Sequence, residues 1–372
     1  MMPVVAVLED DAYVIVWQDD KKDDDDSWGI FGQRFSASGQ SEGSEFRLNS
    51  YSEEDEYDPD VAALSNGGFV AVWYASEFDD NDKVIVGQRF NAAGKQVGKD
   101  TMLNQYITGT QENPAVAGLQ NGGFVAVWNG AGQSDSQGAY MRLFSASGNA
   151  LGDDIRVNAV IDGQQDNADV VQLAGGDIIV TWASKDQDGS GYGIYARLFS
   201  DDGTPQDSEF QVNTYWHSNQ LGPRVAALTA GGFVVSWYGE DSNDSDGVFA
   251  RRYDVIGTPD GDQFVVNSTL PQKQHFPCLG TLPDDAFLAA WQSDQQDGDS
   301  WGIYHRRFDT ADNPFAGDAK ANFQGSKKQE FPDCAGFSDG TFVIVWQSEN
   351  QDGDGRGIFH QRFAAEGYRL YP

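Results

Sequence analysis

The stretch Gly231-Gly232-Phe233-Val234-Val235-Ser236-Trp237 decides the fold, because it is one of seven versions of a single phrase. An apolar run ending in tryptophan recurs at Trp17, Trp73, Trp128, Trp182, Trp237, Trp291 and Trp346, at intervals of 56, 55, 54, 55, 54 and 55 residues. So regular a period over the whole chain means one supersecondary unit repeated. Each unit reads as four short strands. In the second unit Pro59-Asp60-Val61-Ala62-Ala63-Leu64 is the first strand, and Asn66-Gly67-Gly68 supplies the positive φ of a tight hairpin. Phe69 to Trp73 follows, apolar at successive positions and therefore buried on both faces. A third strand, as in Gly193-Ile194-Tyr195-Ala196-Arg197-Leu198-Phe199, comes after an acidic Gly-rich loop, and Glu209-Phe210-Gln211-Val212-Asn213 exemplifies the fourth.

Units of this kind make either an open stack, which needs polar caps at both ends, or a ring. Ala12-Tyr13-Val14-Ile15-Val16-Trp17 and Phe342-Val343-Ile344-Val345-Trp346 carry the same phrases as the middle of the chain, so the ring is expected. The fold predicted is all-β: one seven-bladed β-propeller of four-stranded antiparallel blades spanning 1–372. Its blades fall at about 1–50, 51–105, 106–159, 160–214, 215–268, 269–323 and 324–372. The tail Tyr368-Arg369-Leu370-Tyr371 resembles Phe46-Arg47-Leu48-Asn49 and reads as the last strand of blade seven, with closure resting on side-chain packing against blade one. A different strand assignment would pair the tail with blade one instead.

A net charge of −34, from 58 acidic and 24 basic residues, argues against nucleic acid as a partner, which needs a basic face. It suits cation binding, a salty habitat or plain solubility. No stretch nears the ~20 apolar residues that span a bilayer, so membrane insertion is not expected. The start, Met1-Met2-Pro3-Val4-Val5, has neither the charged region nor the core of a signal peptide, so the chain stays inside or a leader has been trimmed away. Cys278 follows Pro277 directly whereas Cys334 lies two after Pro332, which puts them at adjacent strand positions facing opposite ways; a disulfide is not favoured. Cys334 takes the place of Val61, Val116 and Val225 and reads as a small core residue.

Residues repeated in every blade report on the blade. The tryptophans are expected to fill the wedges between blades, each needing one partner for its indole N–H. Asn49, Asn104, Asn158, Asn213, Asn267 and Asn322 close the fourth strands and are expected to hold the crossover. Gln111, Gln165, Gln220, Gln274 and Gln329 recur three before the proline position.

The loops between second and third strands are the first candidate site. Oxygen ligands around a Gly-enabled turn suit Ca²⁺: Asp186 and Asp188 in blade four, Asp294, Asp297 and Asp299 in blade six, Asn350, Asp352 and Asp354 in blade seven, and Asp241, Asp244 and Asp246 in blade five. Asp79 to Asp82 and Asp23 to Asp26 are acidic counterparts in blades two and one. The pattern lacks the distal Glu of an EF-hand. Aromatics after these loops, Trp28, Tyr192 and Trp301, with Trp216 in a crossover, are candidates for stacking on sugar rings. For catalysis no residue stands out: His217, His275, His305 and His360 are scattered, no zinc spacing or Gly-x-Ser-x-Gly elbow is present, and no carboxylate pair is marked as special.

The phrase Gln187-Asp188-Gly189-Ser190-Gly191-Tyr192-Gly193-Ile194-Tyr195-Ala196-Arg197-Leu198-Phe199 with Glu209-Phe210-Gln211-Val212-Asn213 resembles repeats of large bacterial secreted and RTX-type calcium-associated surface proteins. It is distantly similar to integrin-type FG-GAP blades. The resemblance implies an extracellular or cell-surface module associated with calcium and adhesion, although the chain has no Gly-Gly-x-Gly-x-Asp array. The expectation is a non-enzymatic, calcium-associated binding module with a glycan or surface protein as partner. The alternatives are a polysaccharide-cleaving propeller enzyme with its site at the axial mouth, and a protein–protein scaffold of a surface assembly.

Overall fold

The computed structural model describes residues 2–20, 27–50, 55–76, 83–242, 244–269, 272–296, 298–323, 326–351, 353 and 355–371. Seven antiparallel sheets follow one another along the chain, and within each sheet the strands lie in sequence order. In the fifth, Gln220–Ala227, Phe233–Gly239, Gly247–Tyr253 and Phe264–Val265 run from the axis outward. Its hairpin turns on Gly231, at φ +107°, while a Cβ on Gly232 would run into the Tyr253 carbonyl oxygen. No helix occurs among the described residues. The structure is the expected seven-bladed propeller.

Second strands are buried at almost every position because both of their faces meet a neighbouring blade. Each hydrophobic core accordingly lies between two blades: Val235, Trp237 and Phe249 of blade five pack with Ile179, Ile194 and Val212 of blade four. The seven tryptophans are all buried, as expected, but the indole N–H groups of Trp182, Trp291 and Trp346 have no hydrogen-bond partner. Apolar packing, rather than a polar anchor, holds these rings.

The ring closes. Val5, Tyr13, Ile15 and Trp17 of blade one share a core with Phe337, Val343 and Val345 of blade seven. The Val5 N–H donates to Asp333 Oδ2 at 2.7 Å, and Tyr13 Oη lies 3.1 Å from His360 Nδ1. Among the described residues no strand is shared between the two blades. The tail joins blade seven through the Phe363–Arg369 bridge. That bridge matches the pairing of Phe35 with Ser41 in blade one, not that of Phe31 with Arg47, so the tail begins an outer strand instead of completing one.

The closing asparagines do more than brace their own turns. Asn213 Oδ1 accepts the Ile194 N–H of the third strand at 2.7 Å, while its Nδ2 donates to Gln220 Oε1 at 3.1 Å at the start of the next blade. The Asn–Gln pair recurs between Asn104 and Gln111, Asn158 and Gln165, Asn267 and Gln274, and Asn322 and Gln329. Both residue sets were visible in the repeat; their pairing was not.

Contrary to the expectation from strand alternation, Cys278 and Cys334 form a disulfide, with Cα atoms 5.9 Å apart. Alternation governs neighbours within one strand, whereas these cysteines lie on the inner strands of adjacent blades. There the residue after the proline position reaches the following residue's counterpart one blade on. Asp60 does the same toward Val116, Asp169 toward Val225, and Asp333 toward Val5, each carboxylate accepting a backbone N–H.

Candidate functional site

The inner strands converge on the axis and carry a bulge where they do so. In blade two Tyr57 pairs with Tyr74 and Asp60 with Val72, so Asp58 and Pro59 together oppose Trp73. Pro has no N–H for the ladder and is tolerated at such a bulge. The residue before it adopts positive φ in six blades: Asp58, Asn113, Asn167, Gly222, Phe276 and Phe331, at +49° to +56°. Asp, Asn and Gly visit this region readily, whereas Phe at φ > 0 is an outlier costing about 1–2 kcal/mol. The Phe331 bulge is held by Gln292 Oε1, which accepts its N–H at 2.9 Å. Strain kept at a specific place points to use of that place.

These bulges ring an axial cavity of about 150 Å³ to which all seven blades contribute. The residue after the proline position reads Val4, Asp60, Ala115, Asp169, Arg224, Cys278 and Asp333, and all but Ala115 and the two residues Asp169 and Cys278 touch the cavity directly. Two of these carboxylates, Asp60 and Asp333, therefore share the space with the Arg224 guanidinium, and Asp169 acts on them from outside the lining. Burial, reinforced by repulsion from Asp169 and Asp333, pushes the Asp60 carboxyl up to about 7, against the opposing pull of the Val116 N–H and Arg224. Burial likewise pushes Asp333 up to about 6. It raises Asp169 too, opposed by Arg224 and by two backbone N–H groups. Burial works against the charge of Arg224, yet Asp169 first, then Asp333 and Asp60, hold its pKa above the ordinary arginine value. The site combines two carboxyls raised by burial, Asp60 to about 7 and Asp333 to about 6, with the charged guanidinium of Arg224.

An aromatic band leads away from this cavity. Phe331 and Phe276 have ring centroids 5.2 Å apart, Phe276 and Tyr238 5.4 Å, Tyr238 and His275 4.6 Å, and His275 and Trp301 5.4 Å. Asp246 Oδ1 lies 2.7 Å from His275 Nε2 and fixes that ring. Flat apolar faces backed by carboxylates are the surfaces on which sugar rings stack.

Of the aromatics singled out in the sequence, Trp301 ends this band. Trp28 packs on Tyr57 of the next blade at 5.6 Å, Tyr192 Oη donates to Gln164 Oε1 at 3.4 Å, and Trp216, 47% exposed, lies 3.8 Å from His217. The structure thus does not bring the four together. His305 is a buried strand residue and His360 a half-buried one, and desolvation lowers them to about 3 and about 4.

The acidic loops use their oxygens locally. Asp186 takes a left-handed turn conformation. Asp188 accepts from the Ser190 N–H and from Gln211 Nε2, Asp241 from the Asp244 N–H, and Asp244 from the Asp246 N–H and Asn267 Nδ2. Asp299 accepts from the Ser300 N–H; Asp294 ends a second strand, and the Asn350 N–H donates to the Gly355 carbonyl. Asp297, Asp352 and Asp354 lie outside the described residues, as do Asp23 to Asp26 and Asp79 to Asp82. Among the described residues no three His, Cys, Asp or Glu side chains are grouped to hold a metal ion.

Sequence reasoning missed Asp60, Asp169, Arg224 and Asp333, together with Phe276 and Phe331. The signal lay at two aligned positions flanking the proline position, where residues differ in kind from blade to blade while the rest of the repeat stays uniform.

No protein-family model and no curated protein matches this chain. Solved structures do. A protein of unknown function from Dyadobacter fermentans has a TM-score of 0.56 at 12% identity, over 85% of this chain and 96% of its own. A Penicillium chrysogenum α-L-arabinanase complexed with arabinobiose has a TM-score of 0.53 at 12% identity, over 81% of this chain and 92% of its own. A Streptococcus pneumoniae sialidase has 0.54 at 8% identity, over 78% of this chain and 64% of its own. At such identities the likeness establishes the fold. The similar structures are mostly glycoside-hydrolase propellers, and this overturns the expectation of a non-enzymatic binding module in favour of the polysaccharide-cleaving alternative.

Proposed function

We propose that the axial cavity is the active site of a glycan-cleaving propeller enzyme, acting on a polysaccharide met outside the cell. The observation that carries this reading is the asymmetric axial cluster: one carboxyl raised to about 7, a second raised only to about 6, and the Arg224 guanidinium, all lining one cavity. Asp60 Oδ2 accepts the Val116 N–H, which leaves Oδ1 to carry a proton. Asp60 gives that proton to the departing glycosidic oxygen as water attacks the anomeric carbon, and Asp333, which lines the same cavity and is raised only to about 6, faces the positive charge that develops there. Tyr238, Phe276 and Phe331 stack against the sugar. The glycan-processing neighbours in fold support the reading.

The test is turnover of a panel of aryl glycosides and neutral and acidic polysaccharides, with Asp60→Asn and Asp333→Asn compared at matched circular dichroism. A fall of about 10²–10⁴-fold in kcat for Asp60→Asn is expected. Full activity in both variants, or no turnover of any glycan by the wild type, refutes it.

A further inference from the structure

Arg224 is the single cation among the described residues that line the axial cavity. It stands on the inner strand of blade five, exposed between its buried neighbours Pro223 and Val225. Elsewhere in the fold arginine serves the blades. Arg142, Arg197, Arg251 and Arg306 each donate through Nε to a carbonyl of their own blade, and through Nη1 to a carbonyl of the preceding one. Arg252 pairs with Asp312 at 2.8 Å. Among the described residues Arg224 makes no hydrogen bond and no ion pair; Asp169, Asp333 and Asp60 act on it only through space. Its guanidinium is left open to the cavity.

A guanidinium has five N–H donors and no acceptor, and its planar fork matches a carboxylate bidentately. The acids around it decide whether such an anion is admitted. From the inner strands, the titratable groups facing Arg224 are Asp60, Asp169 and Asp333; blades one, three and six put Val4, Ala115 and Cys278 at that position. Asp58 and Tyr238 also line the cavity, and burial pushes both up. With Asp60 at about 7 and Asp333 at about 6, both are protonated in mildly acid solution. Two of the three negative charges facing Arg224 are then gone, and its field is available to a ligand. The net charge of −34 repels anions from afar, but salt screens exposed charges beyond about 8 Å. Affinity inside the cavity is therefore set by the groups within it.

We propose that Arg224 binds the carboxylate of an acidic sugar, so that the glycan admitted to the axial cavity carries sugar-acid residues; this rests on the axial cavity being the glycan site. Tyr238, Phe276 and Phe331, which line the same cavity, take the face of the ring while Arg224 takes its charged substituent. A neutral sugar gains the stacking alone.

The probes are sugars with no glycosidic bond to cleave: sodium glucuronate, galacturonate and N-acetylneuraminate, each set against its methyl ester and titrated into the wild-type protein by calorimetry and saturation-transfer NMR. At about pH 5.5 at least one acid should bind at least about tenfold more tightly than its ester. That preference should shrink above about pH 7, as Asp60 and Asp333 lose their protons. Arg224→Gln should bring acid and ester level, and Arg224→Lys, which keeps the charge without the fork, should restore part of the difference. The acid–ester comparison on the wild type stands by itself should a variant fail to fold. Equal binding of acid and ester in every pair, no saturable binding, or a preference that survives Arg224→Gln overturns the proposal. Inorganic sulfate displacing the acid at equal concentration overturns it as well, since Arg224 would then be a general anion site. Turnover of neutral glycans without any acid preference would remove this proposal and leave the glycosidase reading standing; an acid preference without turnover of any glycan would keep the sugar-acid site and remove the enzyme.

Discussion

Replacing Asp60 by Asn removes one titratable group from the axis while keeping its shape and an acceptor for the Val116 N–H. The folded protein holds this carboxyl at about 7, against about 3.9 in an unfolded chain. Between those values the folded state keeps a proton that the unfolded state has released, so wild-type stability falls as pH rises through this window and levels off above about 7. Three pKa units correspond to about 4 kcal/mol, and screening by water in the channel reduces this to about 2–4 kcal/mol. With an unfolding entropy near 2.1 cal/mol/K per residue, the shift is roughly 3–5 °C in Tm. The Asn variant carries no such penalty, and losing the Asp60 charge also eases ionisation of Asp169 and Asp333, which acts in the same direction. The excess in Tm of Asp60→Asn over wild type should therefore grow by roughly 3–5 °C from pH 4 to pH 8 in scanning calorimetry. Other carboxylates are common to both proteins and cancel. A difference flat in pH would mean that Asp60 titrates normally, and its assignment as proton donor would fall with it.

Phe276→Asn relieves a left-handed aromatic and should raise Tm slightly, by about 1–2 kcal/mol of stability, while raising KM for a glycan substrate; an unchanged KM removes the stacking role. Reducing the Cys278–Cys334 disulfide, which closes a 56-residue separation, should lower stability by about 4 kcal/mol in the chain-entropy account, read as a fall in Tm on adding dithiothreitol; no fall would show that the link does not stabilise the ring. Asn213→Ala strands the buried Ile194 N–H and Gln220 Oε1 and should cost about 2–4 kcal/mol in urea unfolding, whereas a loss under 0.5 kcal/mol would make the Asn–Gln pair dispensable. Because Asp188, Asp241 and Asp244 already accept hydrogen bonds within their own blades, Asp188→Asn should leave the response of Tm to Ca²⁺ and chelator unchanged; a response abolished by that substitution would place an ion there.

The fold was legible because the blades ask the same work of the same positions: tryptophan as wedge in all seven, Gly-Gly as hairpin in blades two to five, asparagine at the crossover in blades one to six. The axial site was not, since it takes one residue from each blade and becomes a cluster only when the ring closes. Averaging over the repeats discards the very variation, Val4 to Asp333 after the proline position, in which the site is written. The disulfide was misjudged for the same reason. One contact between neighbouring blades is made by Asp60, Asp169 and Asp333 as a carboxylate accepting an amide N–H, and by Cys278 as a covalent bond. Those aspartates consequently do two things at once: they tie blade to blade with one oxygen, and they set the electrostatics of the cavity with their charge. Alanine at these positions would mix loss of ring integrity with loss of chemistry, whereas asparagine keeps the acceptor and removes only the charge. Activity measurements on the asparagine series, alongside stability measurements on the alanine series, separate the two roles.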